Sequence, residues 1–263
     1  MCQPLSISMK PSNTYSSPKA NVLVTVIRSA IFYLCQFLSV ISLAPMVFML
    51  YRSSFEARYR WVMIWVRIQM WLLENLCGLS YALRGTENIP STNGVILSKH
   101  QSAWETLAIQ AIFPPLVFLL KKELLSVPIW GWALSLTEPI AIDRGAKTAA
   151  LKKLLRDGEE RLKKGRWVVI FPEGTRVPPG QKGQYNASGA MLAHRVGCPV
   201  VPIAHNAGEF WARQAFLKWP GVIQIRIGPV IDGSQYSAAE INHKAEEWIE
   251  AQMQEITQVG KAG

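Results

Sequence analysis

The stretch Val95-Ile96-Leu97-Ser98-Lys99-His100-Gln101-Ser102-Ala103-Trp104-Glu105 sets the frame of this chain. Val95 to Leu97 is an unbroken apolar run, the pattern of a short strand buried on both faces of a sheet. Ser102 and Glu105 have capping-box spacing and stand before another apolar stretch, which marks a helix start. A strand passing through a polar turn into a helix is the unit from which α/β sheets are built. The turn carries His100.

Working outward from this unit, short apolar runs alternate with longer mixed segments. The helix begun near Trp104 is expected to reach Phe113, with Pro114-Pro115 marking the boundary before a strand at 116–120. Residues 123–136 read as helical or irregular, broken at Pro128. A strand is expected at 140–142 and an amphipathic helix at 148–162, with Leu151, Leu154, Leu155 and Leu162 on its apolar side. A strong strand signal at 167–171 leads into a Gly- and Pro-rich loop to Gln184. A helix at 188–196, strands at 199–203 and 222–227 and a surface helix at 238–255 complete the pattern. The expectation is an α/β domain over 79–256, with a mostly parallel central sheet flanked by helices. His100, Arg144 and the loop bearing Glu173 each follow a strand, and functional loops of such sheets gather at the carboxyl ends of the strands.

The region before this domain has another character. Residues 1–21 are polar and expected to be a flexible tail, as is 257–263. From Ser29 to Leu50 there is no charge over 22 residues, enough for a bilayer helix. The run is too long and too late for a standard signal peptide, and Pro45 is expected to kink or end it. A second segment at 59–76 places Trp61, Trp65 and Ile68 along one side but is interrupted by Arg60 and Arg67. Residues 22–78 therefore read as a membrane-associated hairpin, or as one spanning helix with an interfacial one. Arg52, Arg58, Arg60 and Arg67 after the first segment outnumber Lys10, Lys19 and Arg28 before it, favouring a cytoplasmic C-terminal side.

Lys plus Arg number 28 against 18 Asp plus Glu, a formal charge of +10, and there are ten tryptophans. This balance suits an anionic membrane surface. No finger, basic-zipper or RNA-binding motif accompanies it, so nucleic acid is not expected as a partner. The four cysteines lack a CxxC pair and read as reduced and structural.

A histidine at a strand mouth can take a proton from a substrate hydroxyl, and a carboxylate can fix its tautomer. Five helical positions turn through about 140°, so His100 and Glu105 meet only if His100 belongs to the approach loop. Glu105 also has a plainer reading as the helix-capping acid. No Gly-x-Ser-x-Gly elbow is present, which favours general-base chemistry over a covalent serine intermediate. Phe171-Pro172-Glu173-Gly174-Thr175-Arg176 follows the clearest strand. Gly174 permits a tight turn and Arg176 offers a fork for phosphate oxygens. Glu173 suits either a substrate hydroxyl or the positioning of Arg176, although an ordinary loop salt bridge has the same signature. Arg144, Lys121 and Lys182 are further candidate cations. The P-loop spacing is absent, as is a metalloprotease motif. Leu124, Leu125, Val127, Ile129, Trp130, Trp132, Leu134 and Leu136 read as an acyl-chain path or as ordinary core.

These blocks, in this order, resemble the glycerolipid acyltransferase family, and in particular its bacterial 1-acylglycerol-3-phosphate acyltransferases. The resemblance runs from about residue 83 to 230. His100 to Glu105 matches the first family block, 140–144 the second, Phe171 to Arg176 the third and, more loosely, 200–203 the fourth. It implies the glycerol-3-phosphate acyltransferase-like fold, His100 as catalytic base and Glu105, where the family usually has aspartate, as its steering acid. It assigns Arg144, Glu173, Gly174 and Arg176 to the glycerophosphate site and Pro202 to acyl-acceptor architecture. It further implies transfer of an acyl group from acyl-CoA or acyl-acyl carrier protein to the 2-hydroxyl of lysophosphatidic acid. That reaction needs no metal or redox cofactor and would take place at the bacterial cytoplasmic membrane. Another lysolipid acceptor, such as lyso-ornithine lipid, and a non-enzymatic lipid-binding protein are the alternatives.

Overall fold

A computed structural model of the chain describes residues 20–258. The N-terminal tail to residue 19 and the last five residues, where loose ends are expected, lie outside the described residues. Thr257 is nearly buried, and the Gln258 N–H donates to the Glu209 carboxylate at 2.6 Å.

Two helices lead. Helix α1 (Val22–Met49) starts at Asn21, whose side chain accepts from the Leu23 N–H at 2.9 Å, and it continues through Pro45 to Met49. Helix α2 (Phe55–Asn75) begins before the expected segment, because Ser54 caps it and accepts from the Ala57 N–H at 3.3 Å. The two pack as a hairpin: Trp65 Nε1 and the buried Gln69 Nε2 both donate to Ser39 Oγ, at 3.1 and 2.9 Å. The other side of α1 exposes Leu23, Ile27, Leu34, Phe37, Leu38 and Ile41. Among the described residues α1 alone is long and apolar enough to cross a bilayer.

The sheet comprises β1 (Leu79–Arg84), β2 (Val95–Ser98), β3 (Leu116–Lys121), β4 (Ile140–Ile142), β5 (Trp167–Ile170), β6 (Pro199–His205), β7 (Gly221–Ile227) and β8 (Ile231–Asp232). Its order is β1-β7-β6-β2-β5-β3-β4, with β8 also pairing with β6. All neighbouring pairs are parallel except β6 with β7 and β6 with β8. The helices α3 (Trp104–Ile112), α4 (Trp130–Ser135), α5 (Lys147–Lys163), α6 (Ser188–Val196) and α7 (Ala238–Ile256) connect or flank the strands. The strands β1 and β8 were not anticipated, the first because Ser80 and the half-buried Tyr81 to Leu83 blur an edge strand's alternation.

Strand alternation divides the core. Ile96 packs with Phe32, Val66, Leu73 and Trp104 on the face covered by α1, α2 and α3. Val95 and Leu97 pack with Leu154, Leu192 and Ala245 on the face covered by α5, α6 and α7. Burying a large aliphatic side chain stabilises by about 1.5–3 kcal/mol, so the fully buried β2 and β5, with β6 buried from Val200 onward, form a rigid base. The register then places the loops. Val95 pairs with Val168 and Leu97 with Ile170, so His100 and Glu173, each three residues further on, leave the sheet level with one another.

Candidate active site

The predicted histidine and acid do meet. His100 Nδ1 and Glu105 Oε1 are 2.8 Å apart. Helix α3 starts at Trp104, with Ala103 at its N-cap, so His100 lies in the approach loop and Glu105 in the first turn. The same Oε1 accepts from the N–H groups of Gln101 and Ser102, at 3.0 and 2.8 Å. Capping of the turn and orientation of the imidazole are thus done by one oxygen. Ser102 is not the N-cap expected from the spacing, though its Oγ accepts from the Trp104 N–H at 3.2 Å.

Burial would raise the Glu105 carboxyl, but the His205 and His100 imidazoles and the Ser102 N–H outweigh it and hold it below the usual carboxylate range. The His100 ring stacks on Phe171, with centroids 4.0 Å apart and planes at 15°. Held at Nδ1 and on one ring face, the imidazole leaves Nε2 for the adjoining cavity, which His100 lines. A nearby second imidazole, His205, accepts from the Ala207 N–H at Nδ1 and meets the Lys99 carbonyl through Nε2 at 2.8 Å. Burial depresses its pKa, and its two ring nitrogens brace the backbone beneath His100.

Glu173 forms the ordinary salt bridge its sequence also allowed, with Lys99 rather than with Arg176. Oε2 accepts from the His100 N–H at 3.0 Å, while Oε1 accepts from Lys99 Nζ at 2.7 Å and the Gly183 N–H at 3.1 Å. It is fully engaged in setting the loop under His100. Gly183 is required here, since a Cβ would lie 3.0 Å from both Cγ and Oε1 of Glu173. Gly174 has φ +65°, the left-handed turn that exposes this loop's backbone. Lys99 was not singled out by sequence. It is fully buried and also meets Glu250 Oε1 of α7 at 2.8 Å and the Gln181 carbonyl at 3.1 Å. A lysine between a buried strand and a functional histidine was the available signal; Glu250, far away in sequence, gave none.

The cavity measures about 1340 Å³ and has two characters. Its polar lining includes His100, Lys121, Arg144, Lys147, Arg176 and Arg213, and no aspartate or glutamate among the described residues. Arg144 Nη1 donates to the Gly174 carbonyl, tying the β4 loop to the β5 loop. The cavity's apolar lining includes Val40, Leu43 and Val47 of α1, Trp61 and Trp65 of α2, and Trp130 and Leu134 of α4. An anionic head and an apolar tail would each find matching surface. Leu124, Trp130 and Leu134 of the expected acyl path line this cavity, whereas Leu125, Val127, Ile129, Trp132 and Leu136 do not.

Two residues expected at the acceptor site lie elsewhere. Lys182 pairs with Glu246 of α7 at 2.6 Å, outside the cavity. Pro202 sits in β6 beside Leu97 and lines a separate hollow with Tyr236 and Trp248. Both follow from the loop and strand turning toward α7 rather than toward His100. Lys147 and Arg213, conversely, reach the cavity without having been predicted.

Residues 80–206 match the family model described as Acyltransferase. The 1-acyl-sn-glycerol-3-phosphate acyltransferase of Pseudomonas aeruginosa is 46% identical over 241 residues, covering 90% of this chain and 94% of that protein. The chain belongs to the 1-acyl-sn-glycerol-3-phosphate acyltransferase family. A relative of the same name from Borreliella burgdorferi is 27% identical over 182 residues, covering 66% of the acyltransferase described here and 69% of its own length. The fold is shared with the crystal structure of the 1-acyl-sn-glycerophosphate acyltransferase of Thermotoga maritima, at TM-score 0.74 and 22% identity over 92% of this chain and 98% of that one. The expected fold class is therefore correct, and this family member is a membrane-associated acyltransferase.

In this acyltransferase the charge on Glu105 is separable from its shape. Glu105→Gln keeps the bulk but weakens the hold on an imidazolium. A fall in turnover on the order of a hundredfold is expected, with KM little changed; steady-state kinetics on the purified variant checks it.

Proposed function

We propose that the protein transfers a fatty acyl group from a thioester donor, acyl-CoA or acyl-acyl carrier protein, to the 2-hydroxyl of lysophosphatidic acid. The products are phosphatidic acid and the free thiol of the carrier. His100 Nε2 takes the hydroxyl proton as the oxygen attacks the thioester carbonyl, and Glu105 steadies the resulting imidazolium. The proton then passes to the leaving thiolate. Arg144, Arg176 and Lys121 hold the acceptor phosphate, with Gly174 opening the loop to it, and the apolar lining of the cavity receives acyl chain. Glu173 acts beneath His100 rather than on the substrate. The observation that carries this reading is a steered imidazole lining a cavity whose walls combine several cations, no acid among the described residues, and many apolar side chains.

Neither acceptor nor product needs to leave the lipid interface. The lining of the cavity by α1 and Trp130, together with the exposed Trp71 and Trp132, supports a cavity opening toward that interface. The cluster of arginines after α1 supports a sheet domain on the cytoplasmic side of a bacterial inner membrane, where the basic surface also suits anionic lipid and an acidic carrier protein.

Purified protein given lysophosphatidate with either donor, and assayed by product mass, tests the reaction. Phosphatidate from at least one donor is expected; free fatty acid as the sole product would identify a hydrolase instead. Arg176→Ala should raise the KM for lysophosphatidate by about ten- to a hundredfold, the loss of a charge-assisted hydrogen bond, while affecting 1-monoacylglycerol little. Equal effects on both acceptors would remove Arg176 from the phosphate site.

A further inference from the structure

The segment joining β6 to β7 presents an exposed guanidinium to the cavity. Arg213 lines it, and its Nη1 donates to the Arg176 carbonyl at 3.5 Å. Arg144 lines the same cavity and donates to the Gly174 carbonyl. Two guanidiniums thus hold one loop, that of Glu173 to Arg176, and both are tied to its backbone rather than to a carboxylate. A solvated surface arginine needs no such placement.

The placement is built. Lys218, in the same segment, is fully buried, with Nζ 3.5 Å from the Tyr33 ring centroid, 4.5 Å from that of Trp211 and 4.8 Å from that of Phe32. The Lys218 N–H donates to Ser29 Oγ at 3.0 Å, and the Tyr33 hydroxyl to the Ala215 carbonyl at 3.4 Å. Phe216 stacks on Tyr33 with centroids 5.3 Å apart. Ser29, Phe32 and Tyr33 all belong to α1. A cation desolvated among aromatic faces is held strongly, so the helix that meets the membrane also fixes the segment bearing Arg213.

The geometry points to Arg213 as a further phosphate-binding residue of the substrate site, with Lys218 its positioning residue through the clamp on α1. This rests on the acyl-transfer reading above. The ligand chemistry is a phosphate, either that of the lysolipid acceptor or those of a CoA donor. With Arg144 and Arg176, Arg213 gives the cavity three guanidiniums on one loop and its neighbours, each able to pair with phosphate oxygens.

The test is steady-state kinetics with purified full chain, varying lysophosphatidate at saturating acyl-CoA and then the reverse. Arg213→Ala should raise one KM by about tenfold with kcat within about threefold, and Arg213→Lys should recover part of the loss. A rise in the lysophosphatidate arm assigns the acceptor phosphate; a rise in the acyl-CoA arm assigns the donor. Lys218→Met, which keeps bulk in the cage but removes its charge, should raise the same KM. Active wild type with both KM values unchanged in Arg213→Ala overturns the inference alone, and an unchanged KM in Lys218→Met overturns the clamp. Wild type that makes no phosphatidate overturns the reaction itself and this inference with it.

Discussion

His100→Ala is expected to lose on the order of a thousandfold in turnover while the lysolipid KM and membrane binding stay near wild type. The imidazole contributes through one atom. Its Nδ1 is occupied by Glu105 at 2.8 Å and one face is covered by Phe171, which leaves Nε2 to meet a hydroxyl. Removing the ring deletes the proposed proton acceptor but none of the cationic or apolar residues that line the cavity. The exchange also leaves the loop in place, because Glu173 holds position 100 through its backbone N–H at 3.0 Å. The effect should therefore fall on kcat. A thermal melt near wild type, measured beside the kinetics, separates lost chemistry from lost fold.

Lys99→Met is expected to cost about 3–5 kcal/mol of stability, the range for removing one member of a buried ion pair. Both ends of the Lys99–Glu173 contact are fully buried at 2.7 Å, and Glu250 joins at 2.8 Å with most of its side chain covered. Without the ammonium, two carboxylates face each other in a medium that solvates neither. The Tyr185 hydroxyl donates to Glu250 at 2.8 Å and is too weak a partner to offset a full charge. Glu173 would also lose what holds it under the His100 N–H, so turnover should fall with stability. Adding Glu173→Gln to Lys99→Met removes one stranded charge, and the double variant should melt above the single one. Chemical denaturation of the four proteins in one detergent measures this coupling. Additive losses would show that the pair acts as two unrelated groups.

What could be read ahead depended on whether the signal was local. Strands β2 and β5 announce themselves because burial on both faces demands unbroken apolar residues. Their carboxyl ends then mark His100 and the Glu173 loop. The His100–Glu105 contact was legible because the loop-to-helix transition supplies its geometry within six residues. Glu173 was found as a position but its partners were not, since they come from two separate places: the consecutive Lys99 and His100 after β2, and Gly183 ten residues along its own loop. Lys182 and Arg213 show the same limit in opposite directions. Charge alone nominated the first, which turns away to Glu246, and overlooked the second, which a long connection returns to the cavity. Strand β1 was missed because its partner β7 lies about 140 residues later and its own pattern is weak.

The most direct measurement is the position of the acceptor in a complex of wild-type protein with lysophosphatidate. The 2-hydroxyl oxygen should lie within about 3 Å of His100 Nε2, with the phosphate against Arg176 and Arg144 and the acyl chain toward Trp61 and Trp130. A lysolipid seated productively with its hydroxyl directed away from that imidazole, or its phosphate against the apolar lining, would contradict proton abstraction by His100.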